Sequence, residues 1–108
     1  MELTITEIAM EKINEIGNPS LKLLLWYETE GCGCGVNGVP TFQLINEPTS
    51  YDKTIICREI PTFVRDQQVV FFAKDMKLDF INGAFRLLSR EGILNPFISP
   101  ASIHINVA

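Results

Sequence analysis

The spacing of apolar residues changes once along the chain, near Leu21, and this change limits the fold more than any other feature. Before it, Ala9, Ile13 and Ile16 recur at helical spacing while Glu7, Glu11 and Glu15 fall largely off that face. This is the pattern of an amphipathic helix over residues 6–16. Thr6 suits the N-cap, with Ile5 and Met10 placed as a hydrophobic staple, and Thr4 with Glu7 offers a capping box instead. Gly17-Asn18-Pro19 should end the helix. After it, Leu21, Leu23, Leu25 and Tyr27 share one face and Lys22, Leu24, Trp26 and Glu28 the other, as in a strand partly covered on both faces.

Short strands are further predicted over residues 41–45, 54–57, 68–72, 78–81 and 85–88, the last two joined by the hairpin dipeptide Asn82-Gly83. One helix ahead of about six strands defines the α+β class, mostly β. The 108 residues suit a single domain, and with 46% of them hydrophobic and 20% charged there is enough apolar material for a core. From Ile93 onward Pro96 and Pro100 interrupt any period, so an extended end is expected, mobile from about residue 97.

Nine Lys and Arg against thirteen Asp and Glu leave a net charge of −4 with no basic cluster, which disfavours nucleic acid as a partner. Residues 1–7 lack the basic start and apolar core of a secretory signal, and no run reaches membrane-spanning length. No membrane association is expected, and the chain is assigned to the cytoplasm. The three cysteines, an odd number, are then reduced thiols rather than a disulfide framework.

Glu30-Gly31-Cys32-Gly33-Cys34-Gly35-Val36-Asn37-Gly38 concentrates four glycines and two thiols and must be a loop. Thiolates are soft ligands for zinc, copper(I) or iron-sulfur iron, and the intervening glycine lets both sulfurs turn toward one point. The same composition also suits a tight connection of small residues. Glu28 and Glu30 raise nearby thiol pKa values and weaken an anionic cluster, so a bound metal would be labile. No Lys-Ser or Lys-Thr follows the glycines, which argues against a phosphate cradle. His104, the one histidine, reads as a solvated tail residue. Cys57 reads as a small core residue beside Ile55 and Ile56, Asp75 and Asp79 as a solvated face around a turn, and Trp26 as packing.

The opening Ile5-Thr6-Glu7-Ile8-Ala9, the strand leading into Glu30-Gly31-Cys32-Gly33-Cys34-Gly35, and Leu78-Asp79-Phe80 with Phe85 resemble the HesB/IscA-like iron-sulfur cluster biosynthesis domain, closest to its short YqkB-like branch. The resemblance runs to about Pro96 and implies a distorted small barrel or sandwich with one helix packed on it. It also implies a carrier, not an enzyme, that binds iron or a 2Fe-2S cluster and passes it to recipient apo-proteins or cluster assembly proteins. The A-type carriers of the family use one cysteine in this loop and a Cys-Gly-Cys pair near the C-terminus. Cys32 matches the loop position and Cys34 is an addition, but Leu94-Asn95-Pro96-Phe97-Ile98 has no thiol. Cys32 and Cys34 are therefore the candidate cofactor and metal ligands, and a homodimer would bring four thiolates together. The alternative is a metal-free binding module of the same fold.

Overall fold

The computed structural model describes residues 1–18, 20–28 and 38–106. Their elements are β1 (Glu2–Ile5), α1 (Glu7–Ile16), β2 (Lys22–Glu28), β3 (Val39–Ile45), β4 (Asp52–Ile55), β5 (Thr62–Arg65), a 3₁₀ helix (Asp66–Phe71), β6 (Asp75–Ile81), β7 (Ala84–Ser89), β8 (Gly92–Ile98), a 3₁₀ turn (Pro100–Ser102) and β9 (Ile105–Asn106). The strands form two mixed sheets, ordered β1-β6-β7-β8 and β4-β5-β2-β3-β9. A bridge between Glu2 and Ile56 joins the first sheet to the segment after β4. The α+β, mostly β class expected from the sequence is the one observed.

The helix begins and ends where its caps dictate. Thr6 Oγ1 accepts from the Ala9 amide at 3.3 Å and donates to Asp79 Oδ1 at 2.8 Å, so one hydroxyl caps α1 and ties it to β6. Gly17 closes the helix, its amide donating to the Ile13 carbonyl at 3.0 Å. Ala9 and Ile13 are buried, and Met10 and Ile16 pack partly buried on the same core. In β2, Leu23 and Leu25 enter that core while Leu24 is buried on the opposite face, which explains its almost continuous apolar run. The turn between β6 and β7 has φ 54° at Asn82 and 83° at Gly83, the left-handed pair that a two-residue hairpin of this kind needs.

Residues 68–72, expected as a strand, lie instead in the 3₁₀ helix and its C-cap. The strand falls just before them, at β5, where Thr62 and Val64 are buried and pair with Leu23 and Leu25 of β2. After Arg65 the polar run Asp66-Gln67-Gln68 supplies no alternate apolar residue to continue it. The first residues also form a strand not read from the sequence, with Leu3 and Ile5 buried and β1 running parallel to β6. Cys57, expected to be buried, is half-buried: Ile55 points inward, Ile56 is 64% exposed, and the Cys57 thiol donates to Glu59 Oε1 at 3.4 Å. Asp75 and Asp79, expected around a turn, both lie in β6. The end of the chain is extended in β8 and β9, with Ile98 and Ile103 in the core.

The Thr6 hydroxyl and the Phe80 amide hold the Asp79 carboxyl below its ordinary value. Burial pushes the Asp52 carboxyl up, but the Thr49 amide and the Arg65 guanidinium outweigh it and hold that group low too. Depressed carboxyls stabilise the fold fully above their unfolded values, about pH 4, and this contribution is lost as pH falls through the lower folded values. Urea unfolding should therefore show stability falling on acidification below pH 4, and the fall should be shallower in Asp52→Asn, which is less stable than the parent at neutral pH. Phe85, fully buried, should cost about 3–5 kcal/mol when replaced by Ala, read from the same urea curves.

Candidate functional site

Cys32 and Cys34 lie outside the described residues. What the structure describes is the end of the β2-β3 hairpin from which residues 29–37 depart and to which they return. There the pairing runs through Tyr27 with Pro40 to Glu28 with Val39. Gly38 sits so close beneath that a Cβ would collide with the Glu28 carbonyl oxygen and lie 2.9 Å from the Tyr27 ring. Only glycine lets the chain re-enter β3 at this point.

Side chains from three other elements converge on this end. The Tyr27 ring stacks on Phe71 of the 3₁₀ helix, with centroids 3.8 Å apart and planes 8° from parallel. Gln68 bonds the Tyr27 backbone, its Oε1 accepting from the amide at 2.9 Å and its Nε2 donating to the carbonyl at 3.3 Å. From β8, Asn95 Nδ2 donates to the Pro40 carbonyl at 2.7 Å. From β5, the Arg65 guanidinium lies 5.0 Å from the Trp26 ring centre and its Nε donates to Asp52 Oδ1 at 2.7 Å.

Beside the hairpin end lies an open groove of about 470 Å³, lined in part by Trp26, Glu28, Val39, Asn95, Phe97 and His104. Its wall includes the stretch around Asn95 where the resemblance places a C-terminal cysteine pair. The fold thus brings that stretch to the base of the cysteine segment, but with an amide in place of thiols. His104 is exposed, as expected, and faces this groove. Trp26, read as packing, is half-buried on its rim. Among the described residues no group of three or more His, Cys, Asp or Glu side chains is placed to hold a metal ion.

Cys57 is remote from the hairpin end at Glu28 and Val39. It follows Ile55, which pairs with Thr62, which in turn pairs with Leu23 near the start of β2. The length of β2 from Leu23 to Glu28, about 17 Å at strand rise, separates the two ends. Sequence reasoning missed Gln68 and Asn95. The break in alternation at Asp66-Gln67-Gln68 was the one available signal for the first, and the second had none.

These observations define a small two-sheet domain, one helix packed on its core, with a glycine-cysteine segment leaving at one hairpin end. A model of the family described as iron-sulphur cluster biosynthesis matches residues 1–99. The uncharacterized protein YqkB of Bacillus subtilis (strain 168) is 34% identical over 103 residues, 92% of this chain and 96% of that protein. The chain belongs to the iron-sulphur cluster biosynthesis family, which places its role in cluster biogenesis. Its fold is shared with a Lactobacillus salivarius protein ascribed to Fe-S biosynthesis, at TM-score 0.76, 18% identity and full coverage of both chains. It is shared more loosely with Escherichia coli SufA, involved in biosynthesis of iron-sulfur clusters, at TM-score 0.54 and 18% identity over 94% of this chain and 89% of that one.

Because the Gly38 contact is with backbone, Gly38→Ala should force the hairpin end apart and cost about 1–3 kcal/mol. Urea unfolding measures the loss, and a variant as stable as the parent would contradict the close approach.

Proposed function

We propose that the chain is a non-enzymatic carrier that takes up iron or a 2Fe-2S cluster through Cys32 and Cys34 and delivers it to recipient apo-proteins or cluster assembly proteins in the cytoplasm. The observation that carries this reading is a pair of thiols separated by one glycine in a member of this family. Soft thiolates suit iron-sulfur iron, and the cluster is cargo rather than a resident group. Two chains are needed for four thiolates, so the loaded form is a homodimer. Glu28 and Glu30, close in sequence, disfavour the thiolate state, in keeping with a cluster held loosely enough to be passed on. The exposed Val39 and Phe97 beside the hairpin end offer an apolar margin for a recipient.

The second reading is a metal-free binding module. What favours it is the stretch 94–98, which has no thiol and whose Asn95 side chain is committed to the Pro40 carbonyl.

Anaerobic reconstitution with iron and sulfide separates the two. The carrier reading expects a visible charge-transfer spectrum, one cluster per dimer, and association on loading. Cys32→Ser and Cys34→Ser should each abolish retention, and Cys57→Ser should leave it unchanged. Protein that stays monomeric and colourless sinks the carrier and leaves the metal-free module.

A further inference from the structure

Tyr27 and Pro40, paired across β2 and β3 just before the hairpin end, turn their backbone polar groups away from each other. In an extended strand the N–H and C=O of one residue face the same side, and the side alternates along the chain. Leu23 donates to the Pro61 carbonyl at 3.0 Å, so Leu25 and Tyr27 also face outward toward β5. Yet β5 pairs with β2 only from Leu23 to Leu25. The outer edge of β3 repeats the arrangement. Leu44 donates to the His104 carbonyl at 3.0 Å, which sets Phe42 and Pro40 outward as well, while β9 pairs only with Leu44 and Ile45.

Both flanking strands thus stop short of the end from which the cysteine segment leaves, and a side-chain amide stands in for each. Gln68 presents its acceptor and its donor to the Tyr27 N–H and C=O, as a neighbouring strand would. Pro40 has no N–H, and Asn95 answers its carbonyl with a single donor. The Asn95 side chain is itself oriented, since its Oδ1 accepts from the Phe97 amide at 3.1 Å. The two amides come from different elements, the 3₁₀ helix and β8, and meet the same cross-strand pair from opposite sides.

We infer that Gln68 and Asn95 are positioning residues that clamp the stem of the cysteine segment and so prolong retention of a cluster held by Cys32 and Cys34. This rests on the carrier reading. Preorganised ligand supports lower the ordering cost of binding, and loss of groups that orient metal ligands commonly weakens metal binding by about 10–100-fold.

The test compares Gln68→Met and Asn95→Ala with the parent and with Thr6→Ala, which loses stability at the helix cap. In the apo protein, Tyr27 amide exchange should quicken about tenfold in Gln68→Met while Leu23 and Leu25 keep their protection. After anaerobic reconstitution, the visible chromophore should be lost to a chelator about tenfold faster in both amide variants, and at the parental rate in Thr6→Ala. Unchanged Tyr27 exchange overturns the clamp. Parental lifetimes in the amide variants, or an equally shortened lifetime in Thr6→Ala, overturn the positioning role while leaving the carrier reading intact. A parent that takes up no cluster sinks the carrier reading and the retention role with it, even where the exchange result shows the clamp.

Discussion

Phe42 of β3 and Phe85 of β7 meet edge to face, centroids 5.1 Å apart and planes at 90°, and the two sheets close on that contact. Each sheet has an apolar face it cannot leave in water, and buried aromatic pairs in this geometry add to the area they bury. Phe80 extends the cluster on β6, its ring 4.9 Å from Phe85, and Lys12 of α1 lies 5.7 Å from the Phe80 ring centre. A continuous line of contacts thus runs from the second sheet through the first to the helix. The register of the strands that line this core is constrained by it, because a shift of one residue would turn their apolar sets outward.

Regular structure thins toward the end of β2 and β3, and that is where the unusual chemistry of the chain begins. Strand pairing is abundant at the Leu23 level, where β2 has a partner on each side. Among the described residues, only β3 remains as a strand partner by Tyr27, and single side chains complete the hydrogen bonding. An arrangement of this kind keeps the backbone groups of Tyr27 and Pro40 satisfied without a further strand. Among the described residues, the hairpin end lies beside an open groove. The same end draws together β8, β5 and the 3₁₀ helix, elements far apart in sequence.

The elements legible in the sequence were those whose signals are local. A helical stripe with a capping threonine, the alternation of β2, and Asn82-Gly83 between two apolar runs each name their own conformation. Residues 68–72 misled because Val69, Val70 and Phe71 favour strands by propensity, yet Val70 is 82% exposed and no sheet edge receives it. β5 was missed for the converse reason. Four residues are too few to show a period, and Thr62 and Val64 acquire their buried role only from the neighbouring Leu23 and Leu25. Cys57 sits where β4 gives out, so an inward position could not be inferred from apolar neighbours alone.

The sequence by itself determined the class of fold, the family, and the two thiols that carry the candidate chemistry, because periodicity, composition and a short motif are properties of contiguous residues. Only the tertiary structure decided that Asn95 stands beside the hairpin end, that Gln68 takes the place of a strand, and that Cys57 lies toward the opposite end of β2. Each depends on pairings between residues remote in sequence. Such pairings are selected by the burial of a shared core and the satisfaction of backbone polar groups, energies that belong to the assembled chain and to no single segment of it.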